Sequence, residues 1–215
     1  KKVSIVPNGY DKKYKNDVSN DFINQCIIKF RIKSNTPIFL FMGNHTHNKG
    51  IDIILNSLKY IDKDLQILIG GKIKSKKENE LLISKCDLLE NENRFIFTDF
   101  VNDEEAIALY KIADCFIFPS RADTFPLVIL EAMISRLPVI STKVGGIPNQ
   151  INQECGILIQ PNSPKELANA MKSLIDKPED FLKMGNNARK RVLENFSWEM
   201  SANIAKNEYS NILYN

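Results

Sequence analysis

Short apolar runs recur along the chain, each closed by polar or turn-forming residues, and between them apolar positions return at helical spacing. Pro37–Gly43, Leu65–Gly71, Arg94–Thr98, Asp114–Phe118 and Gly156–Ile159 read as strands. Lys1–Asp11 opens on a strand-like alternation and closes in Pro7-Asn8-Gly9, a strong turn signal. Helical stripes lie between the strands. Phe22, Cys26, Ile27 and Phe30 form the first; Ile51, Ile54, Leu55 and Leu58 the second. Glu78–Leu89 reads as a surface helix, and Asn102 or Asp103 caps a helix carrying Ile107, Leu109, Tyr110 and Ile112. Ser163-Pro164-Lys165-Glu166 is a capping box with Pro at the first helical position, ahead of Leu167, Met171 and Leu174. Pro178–Asn195 and Ser197–Tyr214 are two closing helices. Strands alternating with helices predict an α/β fold with a doubly wound parallel sheet.

The stretch Ser120–Met133 follows a predicted strand and carries two carboxylates, Asp123 and Glu131. Thr124 or Asp123 is expected to cap a helix with Pro126 in its first turn and Leu127, Leu130 and Ile134 on one face. The free N–H groups and positive dipole end of such a helix suit a phosphate. Carboxylates on either side fit hydroxyl groups better than the phosphate itself, which is the layout of a nucleotide sugar: ribose diol, diphosphate, second sugar. An ordinary strand–helix unit with one capping Asp and one solvated Glu has the same spacing. A second strand, ending at Gly43, runs through Asn44–Gly50 into a helix, and Lys49 in that loop is either a point charge for a diphosphate or a solvated side chain. His45 and His47 have no acidic or Cys neighbour that would complete a metal site, and they are expected as exposed loop histidines. Gly70-Gly71 lacks the third glycine of a dinucleotide fingerprint.

Composition narrows the classes. The 215 residues are 43% hydrophobic and 26% charged, enough for one domain with a sizeable core. A net charge of +3 without an aromatic-studded basic stripe argues against nucleic acid. The basic run Lys72–Lys77 is read as a solvated loop; contact with an anionic membrane surface or acceptor lipid is the sharper alternative. Cys26, Cys86, Cys115 and Cys155 are scattered without metal-like spacing, which suits a reducing compartment. With no apolar run long enough to span a bilayer and no visible signal peptide, a cytoplasmic setting is expected, at most peripheral to the membrane's inner face.

Asp123 and Glu131, with seven residues between them, resemble the Glu-x7-Glu motif of retaining glycosyltransferases of the family-4 type, in the variant with Asp first. Pro138–Thr142 and Val144–Pro148 are similar to that family's next strand and glycine turn, and the resemblance covers nearly the whole chain. It implies one half of a GT-B architecture. The donor-binding domain would cover 1–196, with 197–215 a helix crossing back to a preceding domain missing from this chain. The start at Lys1, without Met, and the Pro7-Asn8-Gly9 segment at the domain junction carry that expectation.

The resemblance also implies roles. Glu131 takes the ribose of the donor, and Asp123 contacts the donor sugar near its reacting carbon. Amides of Phe125, Leu127 and Val128 hold the diphosphate, since Pro126 has no N–H. Backbone at Val101 meets the base. The loop at Gly43 resembles the family's Gly-Arg…Lys-Gly turn, with Lys49 matching the Lys. Asn44 stands where Arg is usual, so either Arg121 or another cation replaces it, or donor affinity is lower. No metal or other cofactor is implied. The partners implied are a nucleotide-sugar donor and a glycan or lipid-linked acceptor held by the preceding domain. No nucleophile or general base is evident, in keeping with attack by the acceptor assisted by the leaving group. A non-catalytic nucleotide-sugar-binding module and a sugar-nucleotide epimerase of similar build are the alternatives.

Overall fold

A computed structural model describes residues 4–33, 35–71 and 94–213. The expected helix Glu78–Leu89, the Lys72–Lys77 run and Cys86 lie outside the described residues. Among the described residues six strands, β1 Ile38–Met42, β2 Gln66–Gly70, β3 Phe95–Asp99, β4 Cys115–Phe118, β5 Val139–Thr142 and β6 Gly156–Ile159, form one sheet in the order β3-β2-β1-β4-β5-β6. Every pairing is parallel. This is the Rossmann order, with the chain reversing direction across the sheet between β1 and β4. β1, β2, β4 and β5 are buried along their whole length. That is why they read as unbroken apolar runs rather than alternating ones: helices cover both faces of a parallel sheet.

The helices are α1 Asn20–Lys29, α2 Ile51–Ser57, α3 Asp103–Ile112, α4 Leu127–Ile134, α5 Ile147–Gln150, α6 Pro164–Asp176, α7 Pro178–Asn195 and α8 Trp198–Leu213. α1 packs on α3, α2 on α6 and α4 on α7. Their caps are local chemistry. Ser19 Oγ accepts from Phe22 N at 3.2 Å. Asn102 makes the full capping box at α3: its Oδ1 accepts from Glu105 N at 2.9 Å, and Glu105 Oε2 accepts from Asn102 N at 3.0 Å. Asn102→Ala removes one half of that exchange and is expected to cost about 1 kcal/mol. Thermal denaturation followed by circular dichroism should show Tm lower by roughly 2–4 °C.

Two expectations change here. The box expected at Ser163 is half made: Ser163 Oγ accepts from Glu166 N, but the Glu166 carboxylate turns back to accept from Gln160 N at 2.9 Å. The opening residues Ser4–Asp11 form no strand. They run along the far end of the chain instead, with Tyr10 N donating to Phe196 O at 2.8 Å and Ser201 Oγ donating to Pro7 O at 2.6 Å.

Candidate functional site

The C-terminal ends of β1 and β4 lie side by side, at the point where the strand order reverses. A crevice at this point is where open α/β sheets bind ligands. The two loops are knitted together. Arg121 N donates to Asn48 O at 2.7 Å, and Ser120 Oγ donates to the same carbonyl at 2.9 Å. A Cβ on Gly50 would stand 2.1 Å from Pro119 O, so only glycine allows this approach.

Across the crevice, Lys49 Nζ lies 2.5 Å from Asp123 Oδ2, and the ammonium sits 5.2 Å from the centre of the Phe118 ring. Both side chains are largely shielded, 27% and 13% exposed. A cation from one loop and a carboxylate from the other are thus held together although 74 residues separate them. Gly43 and Asn44 begin the β1 loop, Gly43 N donating to Gly70 O at 3.0 Å and Asn44 facing solvent. Val101 follows β3 at the same edge of the sheet, half-buried and just after Asp99, whose φ is +54°.

The helix after the Asp123 loop begins two or three residues later than expected. Its cap is Pro126, at φ −66° and ψ 124°, and neither Thr124 nor Asp123 caps it. Asp123 is engaged with Lys49, and the Thr124 carbonyl accepts from Gly146 N at 2.7 Å. With no side-chain cap, Leu127 and Val128 in the first turn have no intrahelical carbonyl for their N–H groups. Phe125 just ahead of them is pinned by Asn8 Nδ2 donating to its carbonyl at 3.1 Å, and its ring meets Phe196 edge-on at 5.7 Å.

Glu131, in the second turn of α4, accepts from Tyr110 Oη at 3.0 Å and lines a cleft of about 410 Å³ with Gly9, Tyr10, Asp11 and Leu127. Burial pushes its carboxyl above the usual glutamate range, against the pull of Tyr110 and Lys13 toward the charged form. Tyr14 belongs to the same cluster, its ring 5.5 Å from Tyr110 and at right angles to it. Sequence spacing missed both tyrosines: Tyr110 reads as one more apolar position in a helical stripe, and Tyr14 sits in a polar stretch.

Arg121 goes elsewhere. Its guanidinium makes two parallel bonds of 2.8 Å to Asp52 and donates to His47 O at 2.5 Å and to Asn162 Oδ1 at 2.6 Å. It braces the two loops, and the structure does not present it as a replacement for an arginine at position 44. His45 differs too: it is 2% exposed, not a surface histidine, with its ring 6.3 Å from Phe97. Its nitrogens have no hydrogen-bond partner, and burial holds the imidazole below its usual pKa. His47 is exposed as expected. Among the described residues no three His, Cys, Asp or Glu side chains converge as a metal site, and no helix is long and apolar enough to cross a membrane.

A family model for "Glycosyl transferases group 1" matches residues 24–191, from α1 to within α7. The chain belongs to the group 1 glycosyltransferase family. It is 30% identical over 212 residues to an uncharacterised glycosyltransferase of Methanocaldococcus jannaschii, covering 95% of this chain and 52% of that protein. It is 27% identical to the D-inositol 3-phosphate glycosyltransferase of Corynebacterium glutamicum, covering 100% of this chain and 53% of that protein. Among solved structures, Anabaena HepE in complex with UDP-glucose superposes with a TM-score of 0.85 at 22% identity, over 96% of this chain and 57% of that one. At that identity the likeness establishes the shared fold. The chain spans about half the length of the curated relatives it matches.

Proposed function

We propose that this chain is the donor-binding half of a retaining, metal-independent glycosyltransferase of GT-B build. Its ligand would be a nucleoside diphosphate sugar, and its acceptor a glycan or lipid-linked sugar held mainly by a preceding domain. The observation that carries this reading is the meeting of Lys49 and Asp123 at the switch point beside the uncapped first turn of α4. Lys49 would neutralise the diphosphate, with the N–H groups of Phe125, Leu127 and Val128 completing its cradle. Asp123 would face the donor sugar near its reacting carbon, and Glu131 the ribose diol. Gly43 and Asn44 would border the diphosphate, and backbone at Val101 the base. HepE, of the same fold, was crystallised with UDP-glucose, which supports a donor of this class. A cytoplasmic location, peripheral to the membrane's inner face if the acceptor is a lipid, belongs to the same proposal.

Without Arg at 44, and with Arg121 on Asp52, the diphosphate would rely on Lys49 and backbone N–H groups. That observation favours a second reading, a module that binds the donor without transferring the sugar. Transfer assays on a protein joining this chain to an acceptor-binding half separate the two.

Calorimetric titration of the chain with UDP, GDP and ADP tests the binding itself. Glu131→Ala is expected to weaken the preferred nucleotide by about 2–3 kcal/mol, the loss of charge-assisted hydrogen bonds to a diol. Unchanged affinity in a folded variant would remove Glu131 from the ribose.

A further inference from the structure

We infer that Tyr14 and Tyr110 are positioning residues for Glu131, holding its carboxylate so that its free oxygen positions face the cleft and accept a vicinal diol. The inference rests on the proposed nucleotide site and adds two residues to it from elements outside the Asp123–Glu131 stretch.

Tyr110 is fully buried in α3, and its hydroxyl donates to Glu131 Oε2 at 3.0 Å. Tyr14 is 7% exposed in the short helix Lys12–Lys15, and its ring packs against that of Tyr110. The two rings meet edge to face at 5.5 Å, so each limits the movement of the other. An ionised carboxylate offers about four acceptor positions. Tyr110 takes one from the protein side, and the others remain for the cleft lined by Gly9, Asp11 and Leu127. A diol needs two.

The arrangement also bears on charge. Glu131 is largely buried, which favours its neutral form, and a protonated carboxyl has fewer acceptor positions for a diol. Donation from Tyr110 opposes that, as do Lys13 and Tyr14 nearby, while Asp11 acts the other way. The other charges around the cluster are engaged. Lys13 pairs with Asp103 of α3 at 2.9 Å, and Lys12 with Glu199 of α8 at 2.6 Å. From α7, Arg189 donates to Ile134 O. Removing a tyrosine hydroxyl therefore shifts Glu131 further toward its neutral form. Nucleotide affinity, which needs the ionised carboxylate, is then lost at a higher pH on acidification than in the wild type.

The test is calorimetry on the chain with UDP, GDP and ADP, carrying the tightest forward, for the wild type, Tyr110→Phe, Tyr14→Phe, Glu131→Gln and Tyr110→Phe/Glu131→Gln. Phe keeps each ring and removes only the hydroxyl. Each tyrosine variant is expected to bind more weakly at neutral pH, Tyr110→Phe by about tenfold, the loss of one hydrogen bond to a charged group. Its affinity should fall off at higher pH than that of the wild type. In the Glu131→Gln background, Tyr110→Phe should change affinity less than about twofold, because the two act through one group. If Tyr110→Phe fails to fold, Tyr14→Phe carries the same pH readout. Wild-type affinity and pH profile in both tyrosine variants, with Glu131→Gln weakened, would overturn this inference and leave the ribose assignment standing. A pH-independent loss would also overturn it, as simple loosening of the core. Normal binding by Glu131→Gln, or no nucleotide binding by the wild type, would instead sink the proposed site and this inference with it.

Discussion

Lys49→Ala is expected to weaken binding of UDP or GDP to this chain by about a hundredfold or more, and to leave uridine or guanosine within about threefold. Two losses add. The first is the contact between ammonium and diphosphate, a charge-assisted interaction of about 1.5–3 kcal/mol. The second concerns Asp123, whose carboxylate lies 2.5 Å from Lys49 Nζ and is only 13% exposed. Without the lysine, that carboxylate faces an incoming diphosphate uncompensated. Like charges about 4 Å apart at an effective dielectric of about 20 repel by up to ~4 kcal/mol, less where water reaches them. Together these effects reach roughly 3–4 kcal/mol, a factor of about 10²–10³. The nucleoside carries no phosphate and meets neither effect. The comparison is made by calorimetry on variants shown to be folded. Equal losses for UDP and uridine would place Lys49 away from the phosphates and reduce the ion pair to a brace between two loops.

Gly145→Ala is expected to destabilise the chain by about 3 kcal/mol and lower Tm by roughly 6–12 °C. Gly145 has φ +51°, and a Cβ there would lie 1.7 Å from Asp123 O. The left-handed backbone costs an L-residue about 1–2 kcal/mol. The clash is with backbone rather than with a flexible side chain, so it is relieved only by moving the Asp123 loop, at about 1–3 kcal/mol. The next residue tightens the same joint, Gly146 N donating to Thr124 O at 2.7 Å. Displacing this turn displaces Asp123 from Lys49, so nucleotide affinity should fall together with stability. Exposed Lys143 beside the turn supplies the control: Lys143→Ala should leave Tm within about 1 °C. A Gly145→Ala protein as stable as the wild type would show that the Asp123 loop is free to shift.

The glycine turn illustrates what was visible along the chain and what was not. Val144–Pro148 was legible through its resemblance to the family's glycine turn, and its two glycines suit a turn. That it supports the Asp123 loop is a fact about two segments brought together by the neighbouring strands β4 and β5. The same division holds at α4. Residues 127–134 are helical by spacing, but Thr124 and Asp123 are drawn away by Gly146 and Lys49, and the cap falls on Pro126.

The alternation of strands and helices, the cap at Asn102 and the limits of Pro178–Asn195 were determined by the sequence alone. Burial periodicity, turn chemistry and capping act over a few residues and leave their mark in local order. Lys49, Asp123 and Glu131 could be picked out as candidates for the same reason, each next to a strand end or helix start. Their partners were decided by the tertiary structure. Arg121 could not be assigned to Asp52, 69 residues away, nor Glu131 to Tyr110 and Tyr14, until the order β3-β2-β1-β4-β5-β6 had put their elements side by side. His45 reads as a polar loop residue, but beside Phe97 of β3 it is buried. A side chain's burial and charge depend on which distant element lies against it, and that is set by sheet order and packing, not by its neighbours in sequence.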